Sequence, residues 1–110
     1  MEKKVKINNI LNLIVNSFNN KEINDNEAIE ILSLLLLSQK YISFNYEIED
    51  KINFCQYNIN ELIDLFKILK LNDKYFTFKE MSIINEISYK SDYNDNKLKI
   101  FNKIYNLYIK

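Results

Sequence analysis

The side chains best placed to do chemistry in this chain are its charges. All 15 basic residues are lysine, and they balance 15 acids to a formal net charge of zero. Lys67, Lys70 and Lys74 recur at i, i+3 and i+7, the spacing that lines one helix face. Lys99 and Lys103 repeat at i, i+4, with Tyr93 and Tyr108 close by. Lysine stripes with neighbouring tyrosines suit single-stranded nucleic acid, ammonium groups meeting phosphate and rings meeting bases. Lysine near a helix C-terminus also simply complements the helix dipole. Of opposite sign, Glu47, Glu49 and Asp50 form an acidic cluster. It is either a contact for a basic partner or the charge that protects an edge strand.

Carboxylate pairs are the other candidates. Glu27/Glu30 and Glu61/Asp64 each stand three residues apart. Glycosidase-type chemistry needs two acids across a cleft, about 5–10 Å apart and in different environments. Neighbouring acids on one exposed helix face do not supply that, so both pairs are expected at the surface. Cys55 lies between Phe54 and Gln56 and reads as a small buried hydrophobe, since no histidine is present to activate it.

What is missing narrows the chemistry further. The chain has no Gly, Pro, His, Trp or Arg, while Asn and Ile occur 18 times each. Without His there is no imidazole base and no Ser-His-Asp triad. One Cys makes neither an internal disulfide nor a multi-thiolate metal site. Without Gly there is no phosphate-binding loop of the P-loop or dinucleotide type. Without Arg there is no bidentate fork for phosphate or guanine. The abundant residues have AT-rich codons, which points to an AT-rich bacterium, virus or mobile element.

Zero net charge hides a segregation. Residues 1–21 carry a net +3, residues 22–66 a net −7 and residues 67–110 a net +4. Such separated patches steer a charged partner.

These residues must be held by helices. Ile7, Ile10, Leu11, Ile14 and Phe18 give residues 5–19 helical spacing. Asn24-Asp25-Asn26-Glu27 is a capping box opening a helix over 25–39, whose Ile31–Leu37 stretch is apolar almost all round and therefore central. Residues 41–57 switch to period two, which predicts a β-hairpin or an extended segment. Asn58-Ile59-Asn60-Glu61 opens a third helix with Ile59, Leu62, Ile63, Phe66 and Leu69 inward and Asn72 as its left-handed stop. Thr77-Phe78-Lys79-Glu80 opens a fourth, running to about Lys90, with Phe76 and Met81 as a hydrophobic staple. A fifth, capped at Asp92, runs from 93 or 96 to 109 with Leu98, Phe101, Ile104, Tyr105 and Tyr108 on one face.

The expected fold is therefore mainly α: one domain over residues 1–110, a bundle of about five helices with a short β-hairpin or extended segment near 41–57. Hydrophobic residues at 47% and aromatics at 14% are enough for a core and too many for a disordered chain. The longest apolar run, Leu34–Leu37, is too short for a membrane span, and no signal peptide is read at the N-terminus. With one Cys, a reducing, cytoplasmic setting follows. The expected function is non-catalytic protein–protein binding, of the inhibitor, immunity or accessory-subunit type. No cofactor or metal is expected. The alternative is a helical subunit that binds nucleic acid through its lysine faces. Self-association is a third reading.

Overall fold

Short polar motifs at the helix starts set the architecture. The computed structural model, which describes residues 3–40, 57–90 and 93–109, runs β1 (Lys4–Lys6), α1 (Ile7–Asn19), α2 (Asp25–Lys40), α3 (Ile59–Ile68), β2 (Tyr75–Thr77), α4 (Phe78–Lys90) and α5 (Asp95–Ile109). It is mainly α, with five helices and one two-stranded sheet among the described residues. Of the period-two stretch at 41–57, residues 41–56, Cys55 among them, lie outside the described residues.

The three capping boxes form as read. Asn24 Oδ1 accepts from the Glu27 N–H at 2.9 Å, and Glu27 Oε1 accepts from the Asn24 N–H at 2.8 Å. Asn58 and Glu61 make the same exchange at 2.8 and 3.1 Å. Thr77 and Glu80 do so at 3.1 Å both ways. Each box satisfies two backbone donors that a helix start leaves open. The cap of α5 is Asn94, whose Oδ1 accepts from the Lys97 N–H at 3.0 Å. That replaces the expected Asp92, which lies outside the described residues.

Helix ends are where the lack of glycine shows. Both well-defined ends are Schellman motifs. After α1, Lys21 N–H donates to Phe18 O at 3.0 Å and Glu22 N–H to Ser17 O at 2.9 Å. After α3, Lys70 N–H donates to Lys67 O at 3.0 Å and Leu71 N–H to Phe66 O at 2.9 Å. The left-handed residues are Lys21 (φ 61°) and Lys70 (φ 57°), not the expected Asn72. The α3 chain turns two residues earlier because Leu71 must return to the core, where it is buried beside Phe66. A side chain in this conformation costs roughly 1–2 kcal/mol. Lys70→Gly should therefore raise stability by about 1 kcal/mol, allowing for glycine's greater unfolded-state entropy. A urea titration checks this; a midpoint that falls would contradict it.

The sheet is the main departure from the sequence reading. Val5 and Lys6, within the segment expected to be helical over 5–19, and Lys4 before them instead pair antiparallel with Tyr75–Thr77, in the register Lys4↔Thr77, Val5↔Phe76, Lys6↔Tyr75. Three residues are too few to display an alternating pattern, so nothing local announces this ribbon. It explains why α1 has no side-chain cap. The first N–H groups of α1 are taken by the other strand's approach: Ile7 donates to Lys74 O at 2.9 Å and Asn8 to Asn72 O at 3.0 Å.

One continuous apolar cluster joins all five helices and both strands. Helix α2 is central, with Ile31, Leu32, Leu34, Leu35, Leu36 and Leu37 all buried, and it packs on α1, α3 and α4. Phe76 and Met81, the expected staple, are both fully buried in that cluster. Two inward assignments fail. Leu69 is exposed because α3 has already ended at Ile68, and Leu98 is exposed because Lys97 takes the inward position of that turn.

Candidate functional site

The lysines singled out from spacing end up in two different places. Lys67 is in the last turn of α3, Lys70 is the left-handed residue beyond it, and Lys74 precedes β2. The helix stops at Ile68, so i, i+3, i+7 spacing does not give these three a common helical face. What gathers positive charge here is the ribbon. Val5 and Phe76 point into the core, which leaves Lys4, Lys6 and Tyr75 on the outer face. Lys6 Nζ stands 5.9 Å from the centroid of the Tyr75 ring, a cation–π contact. Pairing of β1 with β2 thus joins the two basic sections of the sequence, which are far apart along the chain. Ile68 and Leu69, at 70% and 57% exposure, sit at the end of α3 that leads into this region, and Tyr75 is 56% exposed.

Lys99 and Lys103 lie on α5, exposed, and face the α1–α2 connection. Lys103 is ion-paired with Glu22. That hydrogen bond, with the charges of Lys103 and Lys99, holds the Glu22 carboxyl below its ordinary range against a smaller opposing effect of desolvation. The resulting contribution to stability is present at neutral pH and fades as pH falls through the lowered value. Around this pair opens a cleft of about 530 Å³, with Ile23 and Ile100 as its apolar floor and Lys21, Lys99 and Lys103 at its walls. On the other side of the same ion pair is a cleft of about 430 Å³ lined by Asn9, Asn12, Asn16 and Asn20 of α1 and its end. The Glu22–Lys103 bridge divides the two.

The tyrosines expected to flank these lysines are not free to stack on a base. Tyr108 is buried and donates to Phe76 O at 2.9 Å. Tyr93 is half-buried between Tyr89 and Phe101, with ring centroids 4.9 and 6.3 Å away, and its hydroxyl donates to Asn85 Oδ1 at 3.1 Å. Burial and the neighbouring Tyr105 and Tyr89 push its phenol up.

No protein-family model, curated protein or solved structure matches this chain.

Its chemistry is therefore read from geometry alone. The least expected feature is a buried polar seam. Glu27 and Glu30, expected at the surface, are 4% and 5% exposed. Glu30 is ion-paired with Lys97, itself 4% exposed, and receives the Ser88 hydroxyl at 3.3 Å. The acids are inside because α2 is central and Lys97 supplies the counter-charge. Glu27 is held by its capping box, and its second oxygen, Oε2, is buried with no hydrogen-bond partner among the described residues. Glu61 and Asp64 are exposed, as expected. Among the described residues no cluster of three or more His, Cys, Asp or Glu side chains could hold a metal ion, and no helix is long and apolar enough to cross a membrane. Glu47, Glu49 and Asp50 lie outside the described residues.

Proposed function

We propose that this protein works without catalysis, by binding another protein, and that the contact surface is the outer face of the β1–β2 ribbon with the adjoining end of α3. The observation that carries this reading is the strand register. It sets Lys4 and Lys6 beside an exposed Tyr75, next to Lys74 in the chain. Ile68 and Leu69 add exposed aliphatic area at the end of α3. Tyrosine and aliphatic anchors ringed by charge favour a protein surface, because exposed tyrosine buries much area at low entropic cost. The lysines select a partner whose matching surface is acidic. Inhibitor, immunity factor or accessory subunit are the roles that suit a small binding domain, and a cytoplasmic location suits its single thiol.

Nucleic acid is the competing occupant. It has less in its favour, since the tyrosines near α5 are packed away.

The test is capture of partners from the source cells on tagged wild-type protein and on a variant combining Lys4→Glu, Lys6→Glu and Tyr75→Ser, quantified by mass spectrometry. These substitutions are all on the exposed face, so both proteins should melt alike. A partner with an acidic surface should be recovered about tenfold less on the variant, the consequence of losing about 1.4 kcal/mol of binding. Equal recovery would remove the ribbon from the interface. Gel-shift titration with single- and double-stranded RNA and DNA covers the competitor. A shift that weakens steeply with salt and is lost on Lys99→Glu with Lys103→Glu would move the assignment to nucleic acid.

A further inference from the structure

We infer that the cleft between the α1–α2 connection and α5 is a site for a small ligand carrying linked phosphates. It is separate from the ribbon surface and does not depend on the protein-binding role. Three lysines line it, Lys21 from the connection and Lys99 and Lys103 from α5, and Glu22 is the single acid in the lining. Asn102 adds an amide to the same wall, where the Asn96 amide donates to Glu27 Oε1 at 3.5 Å. The cleft is about 530 Å³, within the range of roughly 300–1,000 Å³ that small-molecule sites occupy.

Two features make this more than a solvated lysine face. The backbone of Lys21 is fixed at the edge of the cleft, because it is the left-handed residue of the Schellman motif that ends α1. The anion position is also already sampled. The Glu22 carboxylate is ion-paired with Lys103, and that hydrogen bond, with the charges of Lys103 and Lys99, lowers its proton affinity. One carboxylate among three ammonium groups leaves a positive excess, which a multiply charged phosphate ligand would neutralise better than Glu22 does. Such a ligand engages Lys21 and Lys99 directly and competes with Glu22 for Lys103. Glu22 is therefore an internal competitor.

That competition gives the test a direction that a general charge effect on folding would not produce. Titrating the whole protein with pyrophosphate, and separately with ATP, should move the amide resonances of residues 21–23 and 96–103 with saturation at millimolar ligand. Lys21→Gln and Lys99→Gln should each weaken binding by about tenfold, the loss of one charge-assisted contact. Glu22→Gln should instead tighten it. ATP binding more tightly than pyrophosphate would identify a nucleotide; equal affinity would identify the phosphates alone as the recognised group. The inference is overturned if neither ligand shifts these resonances, if a single-stranded polyuridine binds while pyrophosphate does not, or if Glu22→Gln weakens binding.

Discussion

Lys97→Met is expected to destabilise the protein by about 3–5 kcal/mol, the range for removing one partner of a buried ion pair. Lys97 and Glu30 are 4% and 5% exposed, between α5 and α2. Methionine nearly matches the lysine stem in volume, so packing survives and the change isolates the charge. What remains is a buried carboxylate that has lost its cation and keeps the Ser88 hydroxyl, a neutral donor at 3.3 Å. In a domain of this size the loss should lower the melting temperature by on the order of 15 °C. The control is the double variant Lys97→Met with Glu30→Leu. A buried pair replaced by apolar residues of similar volume is often neutral or stabilising, so the double variant should recover most of the loss. A single variant that costs less than about 1 kcal/mol would mean that water reaches Glu30 and that the pair behaves like a surface one.

Phe76→Ala should be comparably severe, about 3–5 kcal/mol for a fully buried phenylalanine. The ring is 0% exposed, it faces Val5 across the ribbon, and its carbonyl receives the Tyr108 hydroxyl. Removing it opens a cavity where β2, α4 and α5 meet. The damage should concentrate at the ribbon, because two three-residue strands have little else to hold them. Hydrogen exchange at the amides of residues 4–7 and 75–77 should therefore accelerate more than at α2, alongside the fall in denaturation midpoint. Phe76→Leu leaves a smaller void and should lose less. Uniform acceleration across the chain would mean that the ribbon does not open separately from the core.

Helix starts were legible because they are local. A capping box needs two residues three apart, and all three boxes form as read. The centrality of α2 was legible too, since a helix apolar on every side has to be surrounded. Features that depend on two distant segments were hidden. The ribbon joins Lys4–Lys6 to Tyr75–Thr77, and neither tripeptide carries a pattern of its own. The buried pair left a trace that could have been read. Lys97 falls at heptad spacing with Phe101, Ile104 and Tyr108, a lysine on an apolar face, while Glu27 and Glu30 stand on the helix already marked as central. An apolar face with one cation and a buried helix with acids call for each other. The lysine stripe at 67–74 misled for the opposite reason, because spacing argues for a shared face only while the helix lasts, and α3 ends at Ile68.

The β1–β2 pairing also bears on how long the folded state survives. It closes a loop of roughly seventy residues, and the entropy of closing a loop grows with the logarithm of its length. Pairings between neighbours such as α1 with α2 or α4 with α5 close much shorter loops and are rewarded earlier. The ribbon, with the α1–α5 contact that spans a similar separation, is therefore expected to act as a clasp fastened late. Contacts made after the transition state govern the rate of opening more than the rate of folding. A partner seated on the outer face of the ribbon would hold that clasp shut, so binding would lengthen the lifetime of the fold as well as occupy its surface.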